Sequence, residues 1–107
     1  MGKYRSKLRI IADILFVASK GAKKTWIMYQ ANLSYALLNR YLAEVMDAGL
    51  VSFVGSGDCY KITRKGEEFL EKFTEYFERR RQLEDQINDM NSEEMNLEKM
   101  IDSKITE

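Results

Sequence analysis

The chain has 107 residues, 45% hydrophobic and 32% charged, the balance of one folded domain and not of a disordered segment. No run approaches the roughly 20 apolar residues of a membrane span, the single cysteine, Cys59, cannot form an internal disulfide, and the lack of histidine removes imidazole-based acid–base and metal chemistry. The 17 basic and 17 acidic residues cancel overall but not locally: residues 1–66 hold eleven and four, a net +7, whereas residues 67–107 hold six and thirteen, a net −7.

The N-terminal basic residues Lys3, Arg5, Lys7 and Arg9 precede an apolar run that Asp13 interrupts and that ends in Ser-Lys-Gly, so a secretory leader is not expected. With one cysteine, the expectation is a cytoplasmic protein. Over residues 4–19, Leu8, Ile11, Leu15 and Ala18 recur at helical spacing, and Ile10, Ile14 and Val17 widen the stripe. That predicts a first helix covered on two sides, with Gly21 beyond its end. A short second helix is expected over residues 25–31, with Thr25 as its cap, followed by a tight connection at Asn32 and Leu33. Ser34 is placed to cap a third helix over residues 35–48, which Gly49 ends. Its inner face is Leu38, Tyr41, Leu42 and Val45; its outer face carries Ala36, Asn39, Arg40, Ala43 and Asp47.

After Gly49 the period changes from helical to alternating. Residues 50–54 and 59–63 read as two short strands around the turn Gly55-Ser56-Gly57-Asp58, and nothing else in the chain looks like a strand. Two strands alone are marginal, so this hairpin must pack on the helices. Thr63 then caps a fourth helix running from Lys65 to about Ser103 without glycine after its first turn and without proline. Phe69, Phe73, Tyr76, Arg80, Leu83, Ile87, Met90, Glu94, Leu97, Ile101 and Lys104 fall at alternating steps of four and three, a heptad seam with three polar entries. A helix of about 40 residues spans about 60 Å, too far for its distal half to pack on its own head. Leu83, Ile87, Met90, Leu97 and Ile101 therefore imply a second copy, with a kink conceivable at Asn91-Ser92-Glu93-Glu94.

Helix, helix, helix, hairpin in about 60 residues is the order of a winged helix-turn-helix. The fold class expected is mainly α with a two-stranded wing, a head over residues 1–66 and a coiled-coil helix over residues 67–107. In that arrangement the third helix fits the DNA major groove, and its N-terminal turns present Ser34, Tyr35, Asn39 and Arg40 toward base edges and phosphates. Lys20, Lys23 and Lys24 precede the second helix and suit phosphate contacts, and Lys61 is the nearest cation to a wing tip that otherwise carries Asp58. Ala36 and Leu37 read no hydrogen-bond pattern, so sequence preference is expected to be modest.

The run Ala31-Asn32-Leu33-Ser34-Tyr35, then Leu38 and Tyr41-Leu42, then Gly49-Leu50-Val51 resembles the core signature of small archaeal winged-helix DNA-binding proteins. Tyr60-Lys61-Ile62-Thr63-Arg64-Lys65-Gly66 with Phe69-Leu70 is similar to the second wing strand and the start of the long helix in that family. The resemblance covers about residues 3–75. It implies a homodimer held by an antiparallel coiled coil of the C-terminal helices, and a chromatin-associated or transcription-regulating role on the nucleoid. No cofactor is expected. An enzyme is not expected either: Cys59 has no histidine partner, and Gly55-Ser56-Gly57 joins two strands instead of opening a helix onto a phosphate. The rival reading is a winged-helix protein-interaction module, favoured by the acidic tail, the uncharged wing and Leu37.

Overall fold

The computed structural model describes residues 5–102. The first helix, α1 (Lys7–Val17), starts where Ser6 accepts a hydrogen bond from the Arg9 amide at 3.2 Å. Its buried members are Ile10, Ile11, Ala12, Ile14 and Leu15. Leu8, expected in the inner stripe, is 46% exposed, because the first turn lies beyond Ile10, the outermost residue that α1 gives to the core. A single 3-10 turn, Ala18–Lys20, continues α1, and Gly21 leaves it at a φ of 88°. There the next residue adds what alternation could not reveal. Ala22 pairs antiparallel with Tyr60, its amide donating to the Tyr60 carbonyl at 2.9 Å and its carbonyl accepting at 2.8 Å. One residue shows no period, so this bridge on the wing had no signature in the sequence.

Helix α2 (Lys24–Gln30) begins one residue earlier than expected, with Lys23 and not Thr25 at its cap and no side-chain hydrogen bond there. The connection to the next helix turns on Asn32, at a φ of 54°, a left-handed conformation that asparagine tolerates. Leu33 donates its amide to the Met28 carbonyl at 3.0 Å. Arg5 clamps this corner: its guanidinium donates to the Ala31 carbonyl at 2.7 Å, to the Asn32 carbonyl at 2.8 Å and to Asp13 at 2.8 Å. Both charged partners are mostly covered, with 27% and 29% of their side chains exposed. Arg5→Ala would leave two carbonyls and a carboxylate without that donor, and is expected to cost about 1–3 kcal/mol in a urea titration.

Helix α3 (Tyr35–Asp47) follows the expected pattern closely. Ser34 accepts from the Leu37 amide at 3.2 Å, and Leu38, Tyr41, Leu42 and Val45 are the buried face. Gly49 exits at a φ of 77°, and the Leu50 amide closes the end on the Val45 carbonyl at 2.9 Å. Strands β1 (Val51–Val54) and β2 (Cys59–Ile62) pair antiparallel, Val51 opposite Ile62 and Val54 opposite Cys59. The Phe53 and Tyr60 rings meet at 5.0 Å across the hairpin. One core joins Ile10, Ile14 and Leu15 of α1 to Ile27 of α2, to Leu38, Leu42 and Val45 of α3, and to Val51 and Ile62 of the wing.

Helix α4 (Arg64–Asp102) opens on Thr63, which accepts from the Gly66 amide at 3.1 Å while donating its own hydroxyl to the Gly49 carbonyl at 2.6 Å. Phe69 and Leu70 pack against the core, and the first compact unit of the chain extends to Thr74. The second unit, from Glu75, is helix alone among the described residues and runs unbroken through Asn91-Ser92-Glu93-Glu94. Within it Arg80 pairs with Glu84 at 3.3 Å and donates to the Tyr76 hydroxyl at 3.4 Å, and Arg81 pairs with Glu78 at 3.0 Å. Leu83, Ile87, Met90, Leu97 and Ile101 are all more than half exposed in the single chain. The expected outer ends of the first and last helices, Tyr4 and Ser103, and the seam position Lys104 lie outside the described residues.

Candidate nucleic-acid interface

The α2–α3 corner brings together three of the residues singled out in the sequence. Lys24, on the first turn of α2, sets its ammonium 4.9 Å from the centroid of the Tyr35 ring on the first turn of α3. A cation over an aromatic face is attracted by the ring's negative quadrupole. The Tyr35 hydroxyl is held below the usual tyrosine range, first by hydrogen bonding from Asn39 one turn along α3, then by the charge of Lys24 and a hydrogen bond to it. Lys24, Tyr35 and Asn39 thus form one cluster across the turn. Tyr35 remains 62% exposed, so the cluster faces solvent. Ser34 keeps its capping bond, leaving its hydroxyl hydrogen for another acceptor.

Arg40, beside this cluster in sequence, rests its guanidinium 5.5 Å from the Tyr41 ring and is exposed. Lys23 stands at the α2 cap and Lys20 ends the 3-10 turn; both are exposed. Lys61 is exposed on β2, opposite Ser52. The hairpin tip carries Asp58 at a φ of 53°, and Cys59 donates its thiol to the Gly57 carbonyl at 3.1 Å.

How the first unit spends its acidic residues decides the electrostatics. Asp13 is bound by Arg5 and Arg9, and Glu44 by Lys7. Lys20, Lys23, Lys24, Arg40 and Lys61 form no ion pair among the described residues, so the positive charge left over collects where α2, α3 and β2 expose it. Sequence reasoning missed Arg5, which it treated as N-terminal charge, and missed the coupling of Lys24 to Tyr35. Each joins residues far apart in the chain, a relation that helical spacing does not encode. Lys65, a further basic residue, is used structurally: its ammonium donates to the Ala48 carbonyl at the end of α3 at 2.7 Å. No group of residues able to hold a metal ion occurs among the described residues, and none of their helices is long and apolar enough to cross a membrane.

Comparison with known proteins gives three findings. Residues 4–81 match the family model described as winged helix-turn-helix. The chain is 41% identical over 75 residues to the uncharacterized protein MJ0290 of Methanocaldococcus jannaschii, a match that takes in 68% of this chain and 34% of that protein. The chain therefore spans about a third of the length of that curated relative. Among solved structures it is similar to Sso10a-2, described as a DNA-binding protein from Sulfolobus solfataricus, with a TM-score of 0.76 and 23% identity, covering 82% of this chain and 95% of that one. At that identity the likeness is one of fold.

Proposed function

Because this chain belongs to the winged helix-turn-helix family, we propose that it binds double-stranded DNA, with α3 in the major groove and two copies acting together through the second half of α4. The observation that carries the reading is the set of cations without ion-pair partners among the described residues around the α2–α3 corner, Lys20, Lys23 and Arg40 exposed and Lys24 half-buried, beside a helix whose N-terminal turns face solvent. A structural neighbour of the same fold is described as a DNA-binding protein, which supports it further. In this reading Lys20, Lys23, Lys24 and Lys61 meet phosphates, while Ser34, Tyr35, Asn39 and Arg40 sit at the groove. The role is regulation of transcription or packaging of the chromosome in the cytoplasm.

Two sets of substitutions separate positioning from reading. Lys23→Ala with Lys24→Ala is expected to weaken binding to every duplex alike and to lower the slope of log affinity against log salt by up to about two units. Arg40→Ala is expected to cost about 1–3 kcal/mol on preferred sequences only. Asn39 lies one turn from Tyr35 and lowers the proton affinity of its hydroxyl, so Asn39→Ala should also alter the Tyr35 surface. Gel-shift titrations of random duplex at two salt concentrations measure the lysine effect, and the same titrations of a duplex selected for tight binding, set beside random duplex, measure the other two. Binding that ignores salt and survives every substitution would favour the second reading, a protein-interaction surface, for which the exposed Leu37 and the acidic wing tip speak.

A further inference from the structure

We propose that the cleft between α1 and α2 is a stacking site for the bases of a single-stranded nucleic acid, built on rings outside the α3 surface though it shares Lys20 and Lys23 with the duplex reading, and independent of whether α3 enters a groove. The cleft is lined by Asp13, Phe16, Val17, Trp26 and Gln30. Phe16 is 69% exposed, Trp26 57%, and Tyr29, one helical turn beyond Trp26, 73%. Three aromatic side chains held this far into solvent contribute little to the core, whose α1 and α2 members are others: Ile10, Ile11, Ile14, Leu15 and Ile27. Bases stack on such rings with little regard to sequence, because every base has a π-face.

Charge decides what kind of apolar partner fits. Lys20 follows Phe16 by four residues and Lys23 precedes Trp26 by three along the chain, both lysines are exposed, and neither forms an ion pair among the described residues. The one carboxylate in the cleft, Asp13, is neutralised by Arg5 at 2.8 Å and Arg9 at 3.3 Å, so it repels phosphate little. Gln30 offers both a donor and acceptors to base edges. Rings for the bases, cations for the backbone and a silenced acid are the complement of a flexible anionic strand. Duplex DNA, with its bases stacked inside, offers the rings no face.

Trp26 is the only tryptophan of the chain, so its emission reports on the site itself. Titrating the full-length protein with short thymidine and uridine oligomers is expected to quench that emission in a salt-dependent way, and comparing the two tells whether the strand is DNA or RNA. A duplex of equal length should leave it nearly unchanged. Phe16→Ala and Tyr29→Ala, both at exposed positions, should each weaken oligomer binding at least about fivefold while leaving duplex affinity as it was. Circular dichroism of the variants checks that they fold, and Trp26→Phe, followed by anisotropy of a labelled oligomer, should bind better than Trp26→Ala. Absence of quenching by either oligomer overturns the proposal. So does a blue shift of the emission that grows with protein concentration alone, since the cleft would then be covered by a second copy. Loss of duplex binding in the lysine variants with oligomer quenching unaffected by Phe16→Ala would leave the α3 reading standing and remove this one.

Discussion

Shortening the chain after Arg79 is expected to turn a dimer into a monomer in analytical sedimentation at micromolar concentration. Leu83, Ile87, Met90, Leu97 and Ile101 are 60%, 55%, 66%, 62% and 83% exposed on α4 (Arg64–Asp102). Burying such a side chain fully is worth about 1.5–3 kcal/mol, and the five share one seam at steps of four and three, with Glu94 standing between Met90 and Leu97. Most of a helix's stability in a protein comes from packing its apolar face, not from intrinsic propensity. An unbroken helix with an apolar seam therefore calls for a second seam, and the same segment of another copy supplies one. Two of the polar entries in the seam, Arg80 and Glu94, favour opposite directions for the pair. Parallel chains would set Glu94 against Glu94, whereas antiparallel chains bring Arg80 toward Glu94 or Glu98 of the other copy. With Arg80 level with Glu94, residue 96 of one copy lies level with about residue 78 of the other. Spin labels at residue 96 should then be separated by about 27 Å along the axis, against about 10 Å for a parallel pair. A full-length protein that sediments as a monomer overturns the dimer, and a short label distance overturns the direction.

Gly66→Ala is expected to unfold the first unit at moderate temperature. A Cβ at residue 66 would strike the Leu50 carbonyl oxygen and come within 2.7 Å of Ile62 Cγ1. The first is backbone, held by the Thr63 amide at 3.0 Å, and the second belongs to the core. Neither can move without separating α4 from the β1 start or opening the hairpin. Overpacking costs about 1–3 kcal/mol where side chains can give way, and a backbone clash lies at or above the top of that range. With about 4–8 °C lost per kcal/mol in a unit of this size, the near-ultraviolet melt should fall by about 10 °C or more. Gly55→Ala is the control. Its Cβ would meet Phe53 Cε2 at 3.8 Å, an ordinary contact, and the melt should barely move. Equal stability of the two variants would mean that α4 approaches Leu50 less closely than described.

Local pattern was enough for the parts of this molecule whose cause is local. Ser34, the face Leu38-Tyr41-Leu42-Val45 and Gly49 specify α3 from end to end, because capping, helical period and a positive φ each act within a few residues. The hairpin and the start of α4 at Thr63 were legible for the same reason. Leu8 shows where periodicity overreaches: it shares the stripe of α1 but not the core, since a stripe carries no information on where the neighbouring elements end. The features that shape the candidate interface belong to the tertiary structure. Arg5 reaches Ala31 and Asn32 across 26 and 27 residues, Ala22 finds Tyr60, and Lys24 lies over Tyr35 only because the turn at Asn32 folds α2 back on α3. Which lysines stay free was likewise settled by pairing, when Asp13 and Glu44 took Arg5, Arg9 and Lys7 and left the cations of the α2–α3 corner to solvent. Net charge was written in the composition; its placement needed the fold, because an ion pair depends on distance in space and not on separation along the chain.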